Sequence, residues 1–386
     1  MEKIYFRILS GALFLLILET SLAFSQPILF DGNEKVMNTD GDTRGIAVQG
    51  YYVYLADGNK GLKIINVSNP YVFVLTGRLP LPGCFIDQVA VDEDVAVLTD
   101  TANNRVHFVD VSAKMRPALM GSLDVEGETP RKVVAYRGLA FVVEYGDDPS
   151  DPDYFSGIEV FSYETEPAST QLTGIERVRD VAVSGKYLFA AVGDQLHVHK
   201  RIRSGFSTTR YHSIDFTPGD NVNSLTLYGN RLFAFGSELY VVTVFTFRFP
   251  GPDPFRTRET LLIFIANQIS VPGDRENRRV DAAILDYGGG LTSAPSVFVL
   301  LTTMRCCGMC IYNSRTNNLQ PFDFFDGSTE SWISMQDVYE ATEGRVQIFD
   351  SAFSEYFWNG LFSGGILAFG AIGDYGLGCV QVELRR

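Results

Sequence analysis

The stretch GIAVQGYYVYLADGNKGLKIINVSNP, from Gly45 to Pro70, decides the fold. Ile46 and Val48 alternate with Ala47, and Gly50 stands where a two-residue hairpin needs a positive φ. Tyr52, Tyr54 and Ala56 then alternate with Val53 and Leu55 on a returning strand. DGNKG, Asp57 to Gly61, turns the chain into a third strand, LKIINVS, which Pro70 ends by lacking an amide donor. The phrase returns most clearly as DVAVSGKYLFAAVGDQLHVHK, Asp180 to Lys200, and Gly138, Gly185 and Gly229 repeat the turn glycine. The first core residues of the copies are Ile46, Val89, Val133, Val181 and Leu225, at steps of 43, 44, 48 and 44 residues. That period is the length of one four-stranded propeller blade.

A single sheet of this kind cannot cover both of its apolar faces, so each copy must stack on its neighbours. The expected architecture is an all-β propeller of four-stranded antiparallel blades. AAILDY, Ala282 to Tyr287, and EYFWNG, Glu355 to Gly360, supply two further innermost strands. Seven blades are expected, or six if one divergent stretch is not a blade. The chain ends on a third strand, VQVEL, so PILFDG or EKVMN near the N-terminus is expected to close the last blade.

Composition fits this picture: 36 glycines in 386 residues, 13% aromatic and only 20% charged residues suit many short strands joined by tight turns. The net charge of −14 opposes binding to nucleic acid and to anionic lipid surfaces. Residues 1–25 read as a signal peptide: Lys3 and Arg7 precede the apolar run Ile8 to Leu18, and Ala23-Phe24-Ser25 offers small residues for cleavage. Residues 26–386 are then one propeller domain, secreted, periplasmic or on the cell surface, and expected to be a monomer without a membrane span.

LADGNKGLKIINVSNP and RDVAVSGKYLFAAVGD resemble the LVIVD repeat family of secreted and surface-associated propellers. The resemblance covers Arg44 to about Val244 and reappears in GGILAFGAIGDYGLGCVQVEL, Gly364 to Leu384, while Phe245 to Ser363 departs from the pattern. It implies a propeller without an assigned reaction.

Hydrolase elbows, phosphate-binding glycine loops, zinc-protease helices and dinucleotide fingerprints do not occur in the chain. Asp57, Asp100, Glu144 and Asp194 recur near the end of the second strand, so they are expected around one face of the ring. They read either as a carboxylate ring for a cation or a cationic ligand, or as ordinary loop caps. GDDPSDPD carries Asp147, Asp148, Asp151 and Asp153, hard oxygen donors of the kind calcium takes, and NTDGD, Asn38 to Asp42, invites the same reading. Calcium is the one cofactor the sequence suggests.

His197 and His199 share one strand face, but His107 stands at the same repeat position as His197, so an outward strand position is expected and no metal is assigned. Five cysteines, Cys84, Cys306, Cys307, Cys310 and Cys379, predict a structural disulfide outside the cytoplasm. Asn66-Val67-Ser68 matches Asp110-Val111-Ser112 of the next copy and reads as a strand-end turn; Arg275, Arg278 and Arg279 read as a solvated loop. Two functions follow. One is a non-enzymatic extracytoplasmic binding or scaffolding module for protein or carbohydrate partners. The other is a calcium-dependent hydrolase or lyase with an acidic site at the channel.

Overall fold

The computed structural model describes residues 28–29 and 35–386, except 70–71, 128, 146–155, 164–167, 172–174, 176, 203–204, 207–208, 229–230, 237, 251–256, 271–285, 288–295, 304–307, 314–317, 323–349, 354–357, 360–363, 375 and 385–386. The described strands form seven antiparallel sheets in chain order. Blade one runs Gly45–Gln49, Tyr52–Ala56, Leu62–Asn69, Val72–Leu79, and blade two Ile86–Asp92, Val95–Asp100, Arg105–Asp110, Ala118–Asp124. Blades three, four and five begin at Pro130, Val178 and Ser224, and the sixth sheet at Asp286. In blades one to four the innermost strand pairs with the next across a two-residue turn.

Residue registers confirm the repeat at the level of single positions. Ile46, Val89, Val133, Val181 and Leu225 face Leu55, Leu98, Val142, Ala190 and Ala234 on the second strand. The hairpin glycines Gly50, Gly138 and Gly185 have φ of 57°, 77° and 57°, the left-handed region that glycine enters without cost. At the first turn position, held by Gly50 and Gly185, blades two and three have Glu93 and Arg137 with φ of 52° and 50°. Gly229 lies outside the described residues.

The seventh sheet joins both ends of the chain. Its inner strands are Asp350–Phe353, Gly364–Ala371 and Leu377–Leu384. Lys35–Met37 and Ile28–Leu29, from the two N-terminal segments expected to do so, both pair antiparallel with Leu377–Leu384. The innermost strand is earlier than expected. Asp350–Phe353 pairs with Ala368–Ala371, and Trp358–Asn359 of the expected segment extends the same edge against Gly364–Gly365. In the sixth sheet Asp286–Tyr287, within the expected segment, pairs with Ser296–Val297.

The core sits between blades. One buried cluster joins Tyr54, Leu62 and Ile64 of blade one to Ile86, Val89 and Leu98 of blade two. Others join blades two and three, three and four, four and five, and seven and one. Second strands are buried on both faces: Tyr187–Val192, for example, is buried through its first five residues. Such continuous burial follows from having a neighbouring sheet on each side.

Polar clasps fix the spacing of these layers. Asp180 Oδ2 accepts the Leu225 amide at 2.8 Å and the Ser224 hydroxyl at 2.9 Å, and Lys132 Nζ from the preceding blade lies 3.2 Å away. Asp350, at the same register position in the seventh sheet, accepts the Ile46 amide at 3.0 Å and so ties the last sheet to the first. Asp92 accepts the Gly138 amide and the Tyr163 hydroxyl, joining blades two and three.

Gly77 sets the closest approach of blades one and two. A Cβ there would lie 2.0 Å from the Lys114 carbonyl oxygen and 3.2 Å from Pro117 Cδ. Lys114 in turn sits over the Tyr52 and Tyr54 rings, 5.9 and 5.6 Å from their centroids. Gly77→Ala is expected to cost about 1–3 kcal/mol through overpacking, read as a lower midpoint in denaturant unfolding.

Candidate functional site

The third strand of each of blades one to five carries one side chain at an equivalent register position. Register places Lys63, His107, Glu159, His197 and Tyr240 at this position in blades one to five, opposite Leu55, Leu98, Val142, Ala190 and Ala234. At the start of the loop itself stand Asp57, Asp100 and Glu144, all buried. Asp194 falls two residues later in the repeat, beyond Val192, and is half-buried.

In blade one the pair is a buried salt bridge. Lys63 Nζ lies 2.6 Å from Asp57 Oδ2, and the hydroxyls of Thr39 and Thr43 donate to Oδ1 at 2.7 and 2.6 Å. NTDGD therefore folds over Asp57, with its own Asp42 held by Arg44 at 2.5 Å. In blade five the equivalent Tyr240 donates to Asp220 at 2.7 Å, and burial, with Asp220 beside it, pushes the phenol up to about 12. Asp194 accepts the Gly219 amide at 3.3 Å. The four sequence-predicted acids thus differ in setting, and Asp57, Asp100 and Asp194 are engaged by different groups.

Among the described residues, blade two brings a cysteine, an aspartate and a histidine together. Asp100 Oδ1 accepts the amides of Phe85 and Ala102 at 2.9 and 3.1 Å. Its Oδ2 accepts Asn103 Nδ2 at 2.7 Å and faces His107 Nε2 at 3.3 Å. His107 Nδ1 lies 2.7 Å from Ser122 Oγ on the outer strand. Cys84, on the linker from blade one, completes a group in which one donor atom each from Cys84, Asp100 and His107 lie within 4.8 Å of one another.

Burial opposes the Asp100 charge, yet hydrogen bonds from Asn103, the Phe85 amide, Cys84 and His107 hold its carboxyl below the usual range. Burial pushes the Cys84 thiol up to about 11, helped by its bond to Asp100. Burial also lowers His107 in spite of the neighbouring carboxylate. His107 is 4% exposed and turned into this network, so the expected outward position is corrected. The reason is strand alternation: His107 shares its face with Val109 and Val111, which pack in the cluster between blades one and two, so a neighbouring sheet covers that face.

His197 and His199 lie on the same side with ring centroids 6.3 Å apart. His197 is held by Gln195 and Arg210, at 3.0 and 3.1 Å. Burial, then Arg210 and His199, push its pKa down to about 4. The Asn66 and Asp110 side chains each accept the amide two residues on at 2.8 Å, so the paired turns are alike as expected.

Cys84 is in no disulfide, and Cys379 is buried in the apolar cluster with Phe369 and Leu377. The expected disulfide is not found among the described residues; Cys306 and Cys307 lie outside them, and nothing is described of the Cys310 side chain. Asp147, Asp148, Asp151, Asp153, Arg275, Arg278, Arg279 and the signal segment also lie outside the described residues. Among the described residues no helix is long and apolar enough to cross a membrane.

A second feature was missed because it depends on which edges stay uncovered. Val72, Val74 and Leu75 on the outer strand of blade one, and Met115, Leu119 and Met120 at that of blade two, are exposed. Val74 and Met120 are 52% and 51% exposed and Met115 77%, and the outer strand of blade one meets at Gly77 the loop of Lys114 and Pro117 that leads into the outer strand of blade two. The sign, legible in retrospect, is the apolar run YVFVL in a fourth strand that needs no second cover.

Residues 40–79 and 177–198 match the LVIVD repeat. No curated protein matches the chain by sequence. Among solved structures the chain is similar to the WD40 β-propeller domain of Doa1, with a TM-score of 0.55 at 10% identity, covering 92% of this chain and 97% of that one. It is also similar to Raptor of Chaetomium thermophilum, with a TM-score of 0.54 at 10% identity, covering 95% of this chain but only 30% of Raptor. The computationally designed Ika8 protein gives a TM-score of 0.50 at 9% identity over 92% of this chain and 100% of that one. At such identities the likeness concerns the fold, which is a β-propeller.

Two outcomes test the loop positions. Lys63→Met leaves Asp57 buried with its charge uncompensated, and is expected to cost about 3–5 kcal/mol in denaturant unfolding. His197 has a folded pKa below its unfolded value near 6.5, so the unfolded chain takes up the proton first. Stability is expected to fall from about pH 6.5 toward pH 4, and His197→Gln to flatten that part of a melting-temperature profile.

Proposed function

We propose that this propeller, built on LVIVD repeats, is an extracytoplasmic binding or scaffolding module whose partner is another protein. The carrying observation is the exposed apolar row on the outer edge of blades one and two. Outer strands have one unpaired side, so backbone donors and acceptors stand beside Val72, Val74, Leu119 and Met120. An extended segment of a partner adds to such an edge through main-chain hydrogen bonds, while the apolar side chains supply contact area. Aliphatic and methionine side chains suit a protein more than a sugar, and the net charge of −14 favours a basic segment. The binding reading needs no reaction. The signal-like residues 1–25 support the location outside the cytoplasm.

The test combines fractionation with a photo-crosslinking residue placed at Val74 or Met120, and at Tyr211 as a distant control. The expected result is a processed protein outside the cytoplasm, with one partner crosslinked from blades one and two. Val74→Glu with Met120→Glu is expected to weaken that partner at least about tenfold without lowering the melting temperature. Retention in the cytoplasm would refute the location, and undiminished binding by the double variant would refute the surface.

A further inference from the structure

We propose that Cys84, Asp100 and His107 form a zinc site that staples the linker between blades one and two to the second loop and third strand of blade two. The ligand types are those zinc takes, sulfur, oxygen and imidazole nitrogen, with a fourth position left for water or another donor. Tetrahedral bonds of about 2.0–2.3 Å set donor atoms roughly 3.3–3.8 Å apart. The three donor atoms already lie within 4.8 Å, and Asp100 Oδ2 and His107 Nε2 are 3.3 Å apart. Side-chain rotation of about an ångström closes the set.

Comparison with blade one supplies the electrostatic reason. Asp57 has the Lys63 ammonium at 2.6 Å, so that buried carboxylate carries its own cation. At the same register position blade two has His107 in place of the lysine. The nearby Arg105 is turned to Asp124, 2.5 Å away on the outer strand. Asp100 is wholly buried, and a divalent ion beside Oδ2 would supply the charge that Lys63 supplies in blade one.

The surrounding contacts hold the ligands in place. Asn103 Nδ2 lies within hydrogen-bond distance of the Gly83 carbonyl, at 2.9 Å, and of Asp100 Oδ2, which fixes the Cys84 turn against the carboxylate. Ser122 Oγ, 2.7 Å from His107 Nδ1, accepts that N–H when Nε2 binds the metal. Cys84 is partly exposed, so the ion enters past the thiol, whose proton leaves to solvent as the thiolate binds. His107 then carries its proton on Nδ1.

Cobalt titration of the chelator-treated protein, followed by displacement with zinc, tests the site. One equivalent of cobalt is expected to give a thiolate charge-transfer band that zinc removes. Cys84→Ser is expected to abolish the band, and Ser122→Ala to weaken binding by about tenfold. Joint replacement of Cys306, Cys307 and Cys310 by serine is expected to leave it intact. Zinc is also expected to slow alkylation of Cys84 in the unaltered protein, a readout that does not depend on a variant folding. A band that survives in Cys84→Ser, a band lost only in the triple replacement, or alkylation of Cys84 indifferent to zinc would overturn the proposal.

Discussion

In blades one to five the second strand is buried on both faces, and nothing within one blade can cover both. Tyr54 packs toward blade two and Leu55 toward the seventh sheet, although they are neighbours in sequence. The fold follows from that alternation. A sheet with two apolar faces is stable only between two like sheets, and a row of such sheets has uncovered ends unless it returns on itself. The N-terminal strand beside Leu377–Leu384 and the Asp350 carboxylate on the Ile46 amide are where it returns.

Stacking carries polar groups into the interior, and each then needs a partner. The partners differ from blade to blade although the positions do not. Asp57 takes a lysine and two threonine hydroxyls, Asp100 takes backbone amides, an asparagine and a histidine, and Tyr240 takes Asp220. One repeat position therefore serves as ion pair, hydrogen-bonded histidine and phenol clasp in turn. The difference between Lys63 and His107 is the kind that changes chemistry while leaving the scaffold alone.

Much of the fold was legible in the residues. The alternation in GIAVQGYYVYLADG, the turn glycines and the 43–48-residue steps placed five inner strands, and the register agrees at each core position. The inner strand of the last blade was less legible. Asp350–Phe353 is short, and its carboxylate is committed to a strand 304 residues away. Among candidate sites, the equivalence of Asp57, Asp100 and Glu144 was readable, but their burial was not. An aspartate before a turn looks the same whether it caps the loop in water or meets a lysine inside.

The sequence by itself determined the repeat, the sheet-by-sheet order and the places where the chain must turn, because those are set by local backbone preference and by side-chain alternation at short range. The tertiary structure alone decided that Cys84 meets Asp100 and His107 and that two fourth strands leave an apolar edge exposed. Cys84 lies 16 and 23 residues before these partners, on a linker between blades. Their meeting follows from the pairing of Ile86 with Asp100 and of Leu98 with His107, a register between separate strands that no local backbone preference sets.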